Sequence, residues 1–178
     1  MAPPSVPVWL LDIDGVVNAL ARGPVRGSFP SELWTQHVVE ADIPNMGRMV
    51  LPIYVALPVL DFVRHVYDDG LAEVRWHSTW RTAAMTDLGP TLGLPPIPIS
   101  IAPEWTTRPV GWWKLPAAQR VITSGRPLVW TDDDIVNFPD EVGALGEGSD
   151  RLLISPDPDT GLNADELEQI EKFLTAHR

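Results

Sequence analysis

The sequence predicts an α/β domain in which helices flank a mainly parallel central sheet, and three observations lead there. Short apolar runs alternate with segments whose apolar residues recur at helical spacing, the signature of strand–helix–strand units. Two of the apolar runs end abruptly in acids, Asp12 and Asp14 after the first and Asp132, Asp133 and Asp134 after a later one. Buried parallel strands deliver such residues to the carboxyl edge of a sheet, where open α/β folds bind their ligands. The length of 178 residues amounts to one domain, 1–178, at roughly 150 residues per domain, enough to bury a core without metal or disulfide staples.

The first strand is read in VPVWLLDID, which stops at Gly15. Residues 18 to 32 carry Gly23, Pro24, Gly27 and Pro30 and read as a loop. WTQHVVEA and RMVLPIYV are β-rich and separated by DIPNMG, whose Pro, Asn and Gly form turns, so they predict a β-hairpin. The insertion, about residues 18–54, then overhangs the edge of the first strand as a flap. In VALPVLDFVRHVYD, residues Val55, Val59, Phe62, Val63 and Val66 share one helical face, Pro58 is tolerated in the first turn, and Gly70 is the stop. LAEVRWHS predicts a second sheet strand and TWRTAAMTDLG a short helix leaving it. The Pro-rich stretch from Pro90 to Pro109 holds one convincing strand, IPISIA. A helix over about residues 113–124 precedes PLVWTDDD, which repeats the pattern of the first strand. RLLIS predicts a further short buried strand, PDPDTGL a turn-rich loop, and NADELEQIEKFLTAH a final helix capped by Asn163 with Glu166 three residues on.

Composition narrows the chemistry. With 44% hydrophobic and 21% charged residues the chain is too apolar to stay unfolded. Thirteen Lys and Arg against 24 Asp and Glu leave a net charge of −11, which repels polyanions at long range and disfavours a stable coat on DNA. The absence of cysteine excludes disulfides, thiolate zinc sites and a cysteine nucleophile, leaving carboxylate, hydroxyl and imidazole chemistry. No apolar run approaches the roughly 18 residues of a membrane span, and Pro3, Pro4 and Pro7 stand where a signal peptide needs its apolar stretch. The expectation is a cytoplasmic protein without membrane attachment. His37, His65, His77 and His177 lack metal-ligand spacing, and His77 faces either the core or the site wall. The eight tryptophans read chiefly as core.

If the two acid-terminated strands are neighbours, four or five carboxylates meet, and their repulsion raises pKa values or destabilises the fold unless a cation sits among them. Oxygen-only ligands suit Mg²⁺, which keeps waters and leaves room for a phosphate oxygen. The plainer alternative places Asp133 and Asp134 in a surface turn, with Asp12 capping a loop.

These residues resemble a family. DIDGVVN after an apolar strand is similar to the first signature of the haloacid dehalogenase (HAD) superfamily of aspartate-nucleophile phosphohydrolases, and three further signatures follow in order. They are a small hydroxyl closing the second strand (Ser78 in RWHSTWR), a lysine ahead of the fourth (Lys114 in GWWKLP) and an acidic pair closing it (Asp132 and Asp133 in VWTDDD). Within the superfamily the chain resembles the small actinobacterial and phage HAD proteins related to the HAD domain of Swiss Army Knife RNA-repair proteins. The resemblance implies a Rossmann-like HAD fold and a phosphatase. Asp12 is then the nucleophile that forms an acyl phosphate, and Asp14 the general acid and then base. It also implies a Mg²⁺ held by the Asp12 carboxylate, the Asp14 backbone carbonyl and one or both of Asp132 and Asp133. Ser78, with Thr79 as the alternative hydroxyl, binds a phosphate oxygen, and Lys114 offsets negative charge.

Around this set, Arg81 is a candidate to pair a substrate phosphate, with a surface ion pair as the alternative. Trp80 and Trp112 are candidates to stack a base or sugar, with packing against the sheet as theirs. Asp134 is expected to face solvent. HAD enzymes of small metabolites usually insert a cap domain, and neither gap between these signatures holds one. An uncapped site suits a nucleotide, a polynucleotide end or another large phosphorylated substrate, with Arg22, Arg26 and Arg48 of the flap region as local positive charge. The other functional class in view is a catalytically idle HAD-fold binding or regulatory module.

Overall fold

The structure, a computed structural model, describes residues 6–21, 23, 27–100 and 112–178. In chain order its elements are β1 (Val8–Leu11), a 3₁₀ turn (Ser31–Leu33), β2 (Trp34–Ile43), β3 (Gly47–Ala56), α1 (Leu57–Asp68), β4 (Glu73–Trp76), a π-helical turn (Ala84–Leu88) running into the single turn α2 (Gly89–Thr91), α3 (Leu115–Thr123), β5 (Leu128–Thr131), a 3₁₀ turn (Asp133–Asn137), α4 (Pro139–Gly143), β6 (Arg151–Ile154) and α5 (Ala164–Ala176). The architecture is mixed α/β, with four parallel strands in the order β4-β1-β5-β6 and a separate antiparallel hairpin of β2 and β3.

The register positions the site. Leu11 stands opposite Trp76 of β4 and Thr131 of β5, and Thr131 opposite Ile154 of β6, so the four strands end level. The residues that follow them, Asp12, His77, Asp132 and Ser155, therefore emerge along one edge. Strand β1 reads as an unbroken apolar run because both its faces are covered. Trp9 and Leu11 join α1 (Val59, Leu60, Val63), the hairpin and α5 (Leu167, Ile170, Leu174). Val8 and Leu10 join Leu128, Trp130 and the α3 residues Ala117, Ala118 and Val121. Each fully buried side chain of this size contributes about 1.5–3 kcal/mol. The local stops are those the sequence announces: Pro58 sits in the first turn of α1, and Gly70 just past its end takes φ +62°. At α5, Asn163 Oδ1 accepts from Glu166 N at 3.1 Å while Glu166 accepts from Asn163 N at 2.9 Å, a complete capping box.

The hairpin pairs residue for residue from Trp34 with Ala56 to Ile43 with Gly47. Its turn uses Asn45 and Gly47 at φ +68° and +75°, conformations that Asn tolerates and Gly adopts freely. Val39, Ala41, Ile43, Ile53 and Val55 face inward and are buried, while Val38 and Val50 face out. The period-2 alternation thus points one face of the flap at the body of the molecule.

Three expectations need correcting. IPISIA does not form a strand: Ile99 makes an isolated bridge to Trp76, through Trp76 N to Pro98 O and Ser100 N to Trp76 O at 2.8 Å each, and residues 101 and 102 lie outside the described ones. Pro95, Pro96 and Pro98 have no amide hydrogen to extend the ladder. RLLIS is a strand, but an edge strand whose Arg151, Leu152 and Leu153 are half-buried. The helix expected over 79–89 does form but starts only at residue 82, after Arg81 at φ +48° has broken the helical path, and its middle, Ala84–Leu88, is wound as a π-helical turn. The 3₁₀ turn at 133–137 and α4 lack an apolar stripe, and the sequence does not announce them. Among the described residues, no helix is long and apolar enough to cross a membrane.

Candidate functional site

Asp12 leaves β1 with its amide donating to Thr131 O at 3.1 Å, which holds it against β5. One carboxylate oxygen accepts from Ile13 N at 2.7 Å, and the other receives Lys114 Nζ at 2.5 Å. The same ammonium reaches Asp132 Oδ2 at 2.6 Å. Lys114, at the start of α3, is only 4% exposed, so the two carboxylates share one buried cation. Asp132 is fully buried; its Oδ1 caps the following 3₁₀ turn through Asp134 N at 3.1 Å, and its Oδ2 also accepts from Trp130 Nε1 at 3.3 Å. Asp133 is half-buried and tied by its carbonyl to Ser155 Oγ at 2.8 Å, while Asp134 is exposed, as expected.

The glycine of the DIDG motif is explained by contact. Gly15 has φ +74°, and a methyl group there would lie 2.5 Å from Cγ of Asp133. Only glycine lets the first acidic loop and the second close on one another.

Ser78 follows β4 and is buried, with its hydroxyl near enough to the Asp12 carboxyl to oppose the effect of burial there. Thr79 is exposed, so of the two hydroxyls it is Ser78 that stands at the acids. Arg81 is half-buried beside them, its amide donating to Ser78 O at 3.1 Å. His77 turns into the core. Its Nε2 faces the Lys114 carbonyl at 3.1 Å, which makes Nε2 the protonated nitrogen and leaves Nδ1 to accept from Ser100 Oγ at 2.6 Å. It is a brace for the backbone of Lys114.

Asp14 has a different environment. Asn18 Nδ2 and Trp80 Nε1 donate to its two oxygens, each at 2.8 Å, and its carboxylate stands outside the group formed by Asp12, Asp132 and Asp133. Asn18 in turn accepts from Tyr54 N at 2.9 Å, stitching the hairpin to Asp14. Neither Asn18 nor this use of Trp80 was legible, because each depends on where β3 and the 78–83 segment come to rest. Trp80 is 1% exposed, and Trp112 is sandwiched between Trp130 and Phe138 at ring separations of 4.7 and 4.5 Å. Base stacking by Trp112 is corrected to packing, since its ring leaves no face open, whereas the buried Trp80 borders a cavity beside Asp14. Of the flap-region arginines, Arg48 pairs with Glu40 on the hairpin, and Arg22 and Arg26 lie outside the described residues.

The electrostatics follow from burial. Burial pushes Asp132 up to about 7, and the nearby Asp12 carboxylate adds to the effect against the pull of Lys114. Asp133 is pushed up to about 6, by burial first and then by Asp12 and Asp134. Asp12 is raised by burial, with Lys114 opposing. For Lys114 burial works against the charge, but Asp12 and Asp132 outweigh it and hold the ammonium above the ordinary lysine range. His77 is held well below 6.5 by burial and by the Lys114 charge, and is neutral.

Asp12, Asp132 and Asp133 each offer an oxygen within 4.8 Å of the others. With Lys114 among them, three carboxylates and one ammonium leave two negative charges in a partly dry site, which a single divalent cation would cancel. The donors are all oxygen, as a hard cation requires. A cavity of about 200 Å³ opens beside Asp14 between Trp80 and the inner face of the hairpin, lined by Ile43, Met46, Met49 and Leu51. Comparison with protein-family models, with curated proteins and with solved structures finds no match to this chain.

Proposed function

We propose that the chain is a phosphohydrolase of the haloacid dehalogenase type, with the Rossmann-like HAD fold, that cleaves phosphomonoesters through an aspartyl phosphate on Asp12 with the help of Mg²⁺. The observation that carries this reading is the meeting of Asp12, Asp132 and Asp133, with Lys114 and Ser78, at the carboxyl edge of a parallel sheet. The strand order supports it as well: β1, bearing Asp12, lies between the strand that leads to Ser78 and the strand that leads to Asp132.

In the proposed reaction an Asp12 oxygen attacks phosphorus, the bond from phosphorus to the leaving oxygen breaks, and Asp14 gives that oxygen its proton. Asp14 then takes a proton from water as the water attacks the aspartyl phosphate, which releases inorganic phosphate and restores Asp12. Ser78 donates to a phosphate oxygen, and Lys114 balances charge on Asp12 and on the transferring group. Asp12, Asp132 and Asp133 would hold the cation with the Asp14 carbonyl; when bound, it supplies charge stabilisation to the phosphoryl oxygens. Asn18 and Trp80 hold Asp14 in place. Thr79 and Arg81 stand close enough in the chain to meet the substrate beyond the phosphate. The open edge leaves nucleotides, polynucleotide ends and other large phosphorylated molecules as substrates to be tested.

The experiment is phosphate release from generic phosphoesters, nucleoside monophosphates and 3′- or 5′-phosphorylated oligonucleotides, with Mg²⁺ or EDTA. The wild type releases phosphate only with Mg²⁺, and Asp12→Asn loses on the order of 10³-fold or more. No release from any substrate, with Mg²⁺ still raising the melting temperature, would reassign the cluster to a binding module.

A further inference from the structure

The cavity beside Asp14 bears on the part of the substrate that leaves. Asp14 lies in its wall, and in the reaction proposed above Asp14 protonates the leaving oxygen, which puts the start of the leaving alcohol next to this space. The polar atoms there are already committed. The Asp14 oxygens take Asn18 and Trp80 as donors, and Asn18 Oδ1 takes Tyr54 N. The larger part of the wall is carbon and sulfur, from Ile43, Met46, Met49, Leu51 and the Trp80 ring, and no lysine or arginine among the described residues lines the cavity.

We propose that this cavity receives the alcohol portion of the phosphoester, and that this alcohol is a compact, uncharged, apolar group of about one ring. The inference rests on the phosphohydrolase reading and narrows it. Size and charge both argue for it. A cavity of about 150 Å³ lined by aliphatic side chains takes benzene, so about 200 Å³ accommodates a ring with a short substituent. A polyanion or a sugar phosphate chain would meet the Asp14 carboxylate with no lysine or arginine in the lining to offset its charge. Two methionines adapt their shape to a ring and make favourable sulfur–aromatic contacts. Met49 is half-buried on β3 and outside both core clusters, so it is open to change without disturbing the core.

The test compares kcat/KM for benzyl phosphate, glycerol 3-phosphate and a 5′-phosphorylated oligonucleotide in Mg²⁺. All three leave as primary alcohols, so their intrinsic reactivities are matched. Benzyl phosphate is expected to exceed each of the others by about 10-fold or more, the discrimination an apolar pocket provides. Met49→Glu, which places a charge in the wall, brings the ratio close to one, and Met49→Leu preserves it, with melting curves reporting that each variant folds. If Met49→Glu does not fold, Met46→Glu, at an exposed position of the same wall, takes its place in the comparison. Equal kcat/KM for the three esters, preference for the oligonucleotide, or a benzyl preference that survives the charged variant overturns this inference and leaves the phosphohydrolase reading standing. Absence of Asp12-dependent release from all three esters and from the generic panel overturns both.

Discussion

Lys114 is the residue on which the site turns. In isolation it reads as an ordinary helix lysine, yet it is buried between Asp12 and Asp132 at 2.5 and 2.6 Å. Removing one partner of such a buried set leaves the other charges uncompensated, which costs about 3–5 kcal/mol. Lys114→Met is therefore expected to lower the melting temperature sharply in EDTA and to recover part of the loss in Mg²⁺, because the cation replaces the missing positive charge. Equal melting curves for variant and wild type in EDTA would contradict the bridging role. Ser78 and Thr79 show what one residue of register does. The hydroxyl that follows β4 by two residues is buried against Asp12, and the next one is exposed. Strand register favoured Ser78 on sequence grounds, and burial distinguishes the pair.

At the level of elements, the hairpin bears on the site through its hydrogen bonds to the loop after β1. Asn18 joins Asp14 to Tyr54 N, and Tyr54 O accepts Ala19 N at 2.9 Å, so the loop after β1 and strand β3 move as one. Asn18→Ala leaves a half-buried backbone amide without its acceptor and one Asp14 oxygen without its donor, a loss of about 1–3 kcal/mol in stability. The accompanying expectation is a fall in kcat of roughly 10-fold or more, from a general acid no longer held in place. Chemical denaturation and steady-state kinetics check the two effects, and an unchanged kcat would remove Asn18 from the machinery. The same reasoning accounts for IPISIA. Its residues have β-propensity, but a prolyl backbone can accept ladder hydrogen bonds without donating them, so among its described residues a bridge at Ile99 is all that forms.

For the molecule as a whole, the acid cluster sets how stability varies with pH. A carboxyl raised in the folded state binds more protons folded than unfolded, so stability falls as pH rises from its unfolded value through its folded one. For Asp132 that window runs from the ordinary 3.8 up to about 7, and Asp12 acts in the same direction. His77 opposes them, because a histidine depressed by burial gains stability as pH rises to its unfolded value of 6.5. Lys114 stays protonated in both states across the window. Above pH 6.5 the His77 contribution fades while the carboxylates still titrate, so the melting temperature in EDTA is expected to fall by about a degree between pH 6.5 and about pH 8. Saturating Mg²⁺ is expected to abolish that slope, because the cation favours the ionised carboxylates. A melting temperature that rises over this interval in EDTA would show that the cluster is not under strain.

What the sequence by itself determined is local. The apolar run into DIDG, the hairpin with its Pro-Asn-Met-Gly turn, the stops of α1 and the Asn163–Glu166 capping box all depend on residues within a few positions of one another, where hydrogen bonding and side-chain period decide the outcome. Tertiary structure alone decided what lies together across the chain. It set Asp12 beside Asp132 through the pairing of β1 with β5, and closed Gly15 onto Asp133. It also turned Trp80 inward as a donor to Asp14 and left Trp112 stacked in the core. The physical reason is that burial and charge compensation are properties of neighbours in space. A carboxylate is an ordinary surface group or a strained, cation-seeking one according to what the folded sheet places within a few ångströms of it.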